Sequence, residues 1–94
     1  MDVAAAMELL RNRCRRQTVR HLDGIDEASV DEIVASLNGG QLSEDVELEL
    51  VHTHLPKLDD AQVIEYDHSD GFVEVVDVQS LIDVLDSVES VLEE

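Results

Sequence analysis

Rings, thiols and cations are what this chain has least of. Its 94 residues hold no tryptophan, one tyrosine and one phenylalanine, so Tyr66 and Phe72 are the only large aromatic surfaces available. A core must be built from aliphatic side chains. A single cysteine, Cys14, excludes an internal disulfide, and a single proline, Pro56, leaves few forced breaks in helices. Outside five arginines between Arg11 and Arg20, the only strong cation is Lys57. No apolar run approaches the roughly 18 residues of a membrane span, and no basic segment followed by an apolar one opens the sequence. The expectation is a cytoplasmic protein with no membrane partner.

Acid and aliphatics are what the chain has in excess. Leu, Ile, Val and Phe fill 31 of 94 positions, well above the level of about 20% at which disorder becomes the default. One small core is expected, because chains divide into several cores only at two to three times this length. The formal net charge is −17, and it is uneven: residues 1–43 carry −2 and residues 44–94 carry −15. Ordinary nucleic-acid binders are basic, so the balance argues against a generic phosphate-seeking surface. Acidity without low hydrophobicity suits multimolar salt, where repulsion is screened within about 3 Å at 1 M.

Capping and breaking residues divide the chain. Asn12 is an N-cap between two helical pieces, Val3–Leu10 and Arg13–Leu22, and Asp23-Gly24 ends the second. Ser29-Val30-Asp31-Glu32 has the pattern of a capping box before a helix over 29–37, which Asn38-Gly39-Gly40 stops. Ser43 caps a longer helix reaching about Ala61, with Leu48, Val51, Leu55 and Leu58 as its buried stripe. A second row, Leu42, Val46 and Leu50, lies on another flank. Pro56 removes a hydrogen bond to residue 52 and predicts a kink or a restart near Thr53. Val63–Tyr66 and Phe72–Val76, separated by Asp67-His68-Ser69-Asp70-Gly71, read as a hairpin. From Val78 to Glu94 helical spacing returns, with Leu81, Leu85, Val88 and Leu92 at heptad intervals.

Three helical elements, a hairpin and a last helix make a mainly α fold with a β-hairpin wing. This is the order of a winged helix-turn-helix with flanking helices. The expected division is a winged domain over 1–76 and a terminal dimerisation helix over 77–94, with Leu81, Leu85, Val88 and Leu92 as a homodimer seam.

The run His52-Thr53-His54-Leu55-Pro56-Lys57-Leu58-Asp59-Asp60-Ala61-Gln62-Val63-Ile64-Glu65-Tyr66-Asp67 resembles that of a family of small haloarchaeal winged-helix proteins. Their hallmark is H-T-H-L-P-K-L-x-x-A-G-V-I-x-Y-D. The arginine-rich stretch Leu10–Arg16 looks like that family's first helix, so the resemblance covers roughly residues 7–76. Val51 to Val63 is more distantly similar to the recognition-helix end of ArsR-type repressors. The resemblance implies a halophilic archaeal source, a winged-helix fold and a role in transcription. Gln62 departs from it where glycine is expected, which predicts either strain at a left-handed position or a different exit from the helix.

For DNA, the outward side of the helix that Ser43 caps offers His52, Thr53 and Lys57, with Glu49 able to accept from cytosine N4. Arg13, Arg15, Arg16 and Arg20 are the candidate phosphate clamp. Phosphate meets opposition from Glu44, Asp45, Glu47 and Glu49, and those arginines have an alternative use in neutralising neighbouring carboxylates. The two readings are therefore a DNA-binding regulator acting as a homodimer, and a protein-interaction module that keeps the fold without binding DNA. No metal is expected, since His52 and His54 are two apart and do not share a helix face. Neither a catalytic motif nor a cofactor-binding loop is present in the sequence.

Overall fold

A computed structural model describes residues 2–92, with side chains through Glu89. Its elements are α1 (Val3–Leu10), α2 (Arg13–Leu22), β1 (Glu27–Ser29), α3 (Val30–Leu37), α4 (Glu44–Glu49), α5 (Leu55–Asp60), β2 (Ile64–Asp67), β3 (Phe72–Val75) and α6 (Gln79–Leu92). A π-helical turn, Leu50–His54, joins α4 to α5 in one continuous rod. The result is a mainly helical α+β fold around a small antiparallel sheet of order β1-β3-β2.

Local chemistry sets the boundaries. The Asn12 side chain accepts hydrogen bonds from the Cys14 and Arg15 amides, and the Ser29 and Ser43 hydroxyls accept from Glu32 and Val46. Each cap satisfies a donor that the first turn leaves free. Gly39, at φ 65°, turns the chain out of α3 while the Gly40 amide donates to the Ala35 carbonyl. The hairpin pairs Ile64 with Val75 and Asp67 with Phe72. A third strand, β1, adds Ala28 opposite Val73. Glu74 then faces Glu27 on one side and Glu65 on the other. Like charges directly opposite destabilise a sheet, so this arrangement favours a salty solvent.

The π-turn corrects the expected stripe. Leu48 is 55% exposed, whereas Leu50, Leu55 and Leu58 are fully buried. On a regular α-helix Leu50 and Leu55 would lie about 140° apart. The wider turn, in which the Leu55 amide donates to the Leu50 carbonyl, brings both onto the core side. Pro56 follows at the start of α5 and supplies the cause, because it has no N–H for the His52 carbonyl.

α5 ends in a Schellman turn: the Val63 amide donates to the Leu58 carbonyl at 3.2 Å and the Gln62 amide to Asp59 at 2.9 Å. Gln62 itself takes φ 65°, so glutamine accepts the left-handed conformation rather than altering the exit. This conformation costs a side-chain-bearing residue about 1–2 kcal/mol, part of which glycine returns as unfolded-state entropy. Gln62→Gly should therefore raise stability by about 0.5–1 kcal/mol, a gain of several degrees in thermal midpoint at molar KCl. A lowered midpoint would refute the strain.

α6 does not stand apart. Leu81, Ile82 and Leu85 are buried in the same cluster as Leu9 and Leu10 of α1 and Val19 and Leu22 of α2. Leu81 and Leu85 therefore cannot form the expected dimer seam, because the helix folds back and covers them within its own chain. Val88 is half-buried beside them, and the Leu92 side chain lies outside the described residues. Among the described residues no helix is long and apolar enough to cross a membrane.

Candidate nucleic-acid interface

The arginine helix is largely turned to internal use. Arg15 is 6% exposed: its Nε donates to the Leu9 carbonyl at 2.6 Å and Nη2 to the Glu8 carbonyl at 3.2 Å, while Nη1 lies 3.2 Å from His54 Nδ1. Guanidinium only donates, so Nδ1 accepts and the His54 proton sits on Nε2, which donates to Glu49 Oε1 at 3.0 Å. Arg16 Nη1 donates to the carbonyls of Leu10 and Arg11. Together the two guanidiniums cap the free carbonyls at the end of α1, where a cation is favourable. Arg20 bridges to Asp86, at 2.7 Å, and to Glu89 of α6.

The proposed clamp of four arginines is thus corrected. Arg15 is enclosed and cannot reach phosphate, and Arg16 and Arg20 hold α1 and α6 onto α2. Arg13 is exposed and makes no ion pair among the described residues, but it lines a shallow groove with Asn12, Gln17 and Glu49. Glu49 is committed to His54 while its side chain stays largely solvent-accessible. Burial and the Glu49 charge push the nearby Cys14 thiol up from its ordinary range. A reactive thiolate is disfavoured there.

The rod brings the remaining candidates together. His52, Thr53 and Lys57 are exposed and line one shallow depression with Pro56 and Asp60. The depression begins where α4 and its run of carboxylates ends. His54, two residues from His52, is buried on the opposite side. That separation agrees with the expected flanks, and no group of three or more metal-ligating side chains occurs among the described residues. The turn between β2 and β3 carries Asp67, His68 and Asp70, with the Tyr66 hydroxyl 3.1 Å from His68 Nδ1.

Residues 7–74, from the second half of α1 to β3, match the family described as a domain of unknown function, DUF7344. The chain belongs to the DUF7344 family. The match covers the arginine helix, the rod and the hairpin of this DUF7344 chain. No curated protein and no solved structure matches it. The Arg15–His54–Glu49 connection is the feature that sequence reasoning missed. Arg15 and His54 are 39 positions apart, and no local pattern links them.

Proposed function

We propose that this DUF7344 protein is a winged helix-turn-helix regulator of a halophilic archaeon that reads DNA with the second half of the α4–α5 rod. The sheet order supports the fold. A short strand between the first helical layer and α3 pairs with the far strand of the hairpin, as a wing tied to a helix-turn-helix requires. The convergence of His52, Thr53 and Lys57 on one exposed depression carries the functional reading. Its side chains can donate to base edges or phosphates, and the acids of α4 lie behind it along the rod.

Affinity must come from direct readout and shape. At multimolar salt little counterion-release energy remains, so the internal use of Arg15, Arg16 and Arg20 removes a term that would contribute little there. Selection from random duplexes at 2 M KCl, followed by gel shift, is the test. Lys57→Ala and Thr53→Ala should each weaken binding to the selected site about tenfold or more, the cost of one lost base contact. Absence of any selected sequence, with the fold intact, overturns the reading. The protein-interaction alternative has its own support in the loss of three of the four clamp arginines to internal contacts.

A further inference from the structure

α1 is apolar nearly all the way round. Of its eight residues, Val-Ala-Ala-Ala-Met-Glu-Leu-Leu, only Glu8 is charged, in a chain where 31% of residues are. Ala6, Leu9 and Leu10 face the core, yet Val3 is 61% exposed and Met7 48%, with Ala4 and Ala5 exposed beside them. A helix apolar on every side is normally covered on every side. Among the described residues, nothing packs over the exposed side of this one. Met7 also forms the edge of a groove of about 460 Å³ between α1 and α6, lined by Leu10, Val84, Leu85 and Val88.

The charges around this groove say what fits it. Arg11, Arg16 and Glu89 stand on the rim, Arg11 paired with Glu8 at 3.2 Å and Glu89 with Arg20, so the rim carries charges of both signs on a protein of formal charge −17. By contrast, five carboxylates and no arginine or lysine line the concavity on the outer sheet face, and the one between α3 and α4 has three carboxylates as its charged lining residues. A second copy is repelled at those two acidic concavities; the depressions at Arg13 with Glu49 and at Lys57 with Asp60 are balanced in charge, though no α1 residue lines either. It is not repelled at the α1–α6 groove, and a rim bearing both signs is self-complementary, since a two-fold axis sets the cationic edge of one copy over the anionic edge of the other.

We infer that the α1–α6 groove, with the outer face of α1, is a two-fold dimer interface whose occupant is the same surface of a second copy. Met7, Val84 and Val88 are its apolar centre, and Arg11, Arg16 and Glu89 its rim. This replaces the seam through Leu81 and Leu85. It deepens the DNA-reading proposal, because a two-fold pair of rods is what paired half-sites require, but it is tested without DNA.

Sedimentation equilibrium of the full chain in 1–3 M KCl, with Met7→Glu and Val88→Glu alongside, is the experiment. The unaltered chain should be dimeric, and more tightly so at the higher salt. Met7→Glu should raise the dimer dissociation constant at least about 100-fold, because a carboxylate would be buried without a partner. Its circular dichroism should stay unchanged, since Met7 is half exposed in the monomer. A monomeric unaltered chain at 3 M KCl overturns the interface, as does a dimer that both substitutions leave intact. A dimer sensitive to Met7→Glu that selects no DNA would instead sink the DNA reading alone.

Discussion

Arg15→Ala should remove about 3–5 kcal/mol of stability, a large share of the roughly 5–14 kcal/mol that a domain of this size possesses at about 0.05–0.15 kcal/mol per residue. The substitution leaves the Leu9 carbonyl and His54 Nδ1 without the guanidinium that now meets them, and the Glu8 carbonyl with the Arg11 amide only. Each buried acceptor left alone costs about 1–3 kcal/mol. Because one guanidinium joins the end of α1 to α2 and to the rod, the loss is not confined to α2. Urea titration at 2 M KCl reads it directly.

Arg15→Lys separates charge from geometry. An ammonium carries the same charge but cannot meet three acceptors arranged around a planar fork, so lysine should recover less than half of the loss. His54→Ala should couple with Arg15→Ala by more than about 1 kcal/mol in a double-mutant cycle, since the two side chains touch. A loss under about 1 kcal/mol for Arg15→Ala would mean that water replaces the guanidinium, and that α1 is held by its apolar face alone.

Legibility in the sequence followed the range of the interactions. Asn12, Ser29 and Ser43 act on amides two or three residues away, so each helix start could be read from a short window, and each observed cap is the expected residue. The hairpin likewise follows from neighbouring residues. β1 could not be read that way, because only Ala28 of its three residues is buried and its pairing partner β3 lies more than forty positions on. The rod was half legible. Pro56 announced a disturbance, but a kink, a restart and a π-turn all answer a missing amide, and only packing of Leu50 against the core selects the last. The candidate site divides in the same way. His52, Thr53 and Lys57 share a face because of helical spacing, whereas the fates of Arg15, Arg16 and Arg20 depend on α1, His54 and α6.

Ending the chain after Val78 should abolish cooperative unfolding. Division of the sequence at residue 76 treats the last helix as an accessory, yet Leu81, Ile82 and Leu85 are at most 3% exposed and pack in the common core. Burial of each such side chain is worth about 1.5–3 kcal/mol, and their removal would also uncover Leu9 and Leu10 and take away both carboxylates that meet Arg20. The sum is comparable to the whole stability of a small domain. Leu85→Ala is the milder form and should cost about 2–5 kcal/mol while leaving a folded, less stable protein. The two contrast with Met7→Glu, which should change association and spare the fold. A shortened chain that melts cooperatively within about 5 °C of the parent, the shift expected for only about 1 kcal/mol, would show α6 to be separable after all. A detached α6 would also restore Leu81 and Leu85 as candidates for contact between copies.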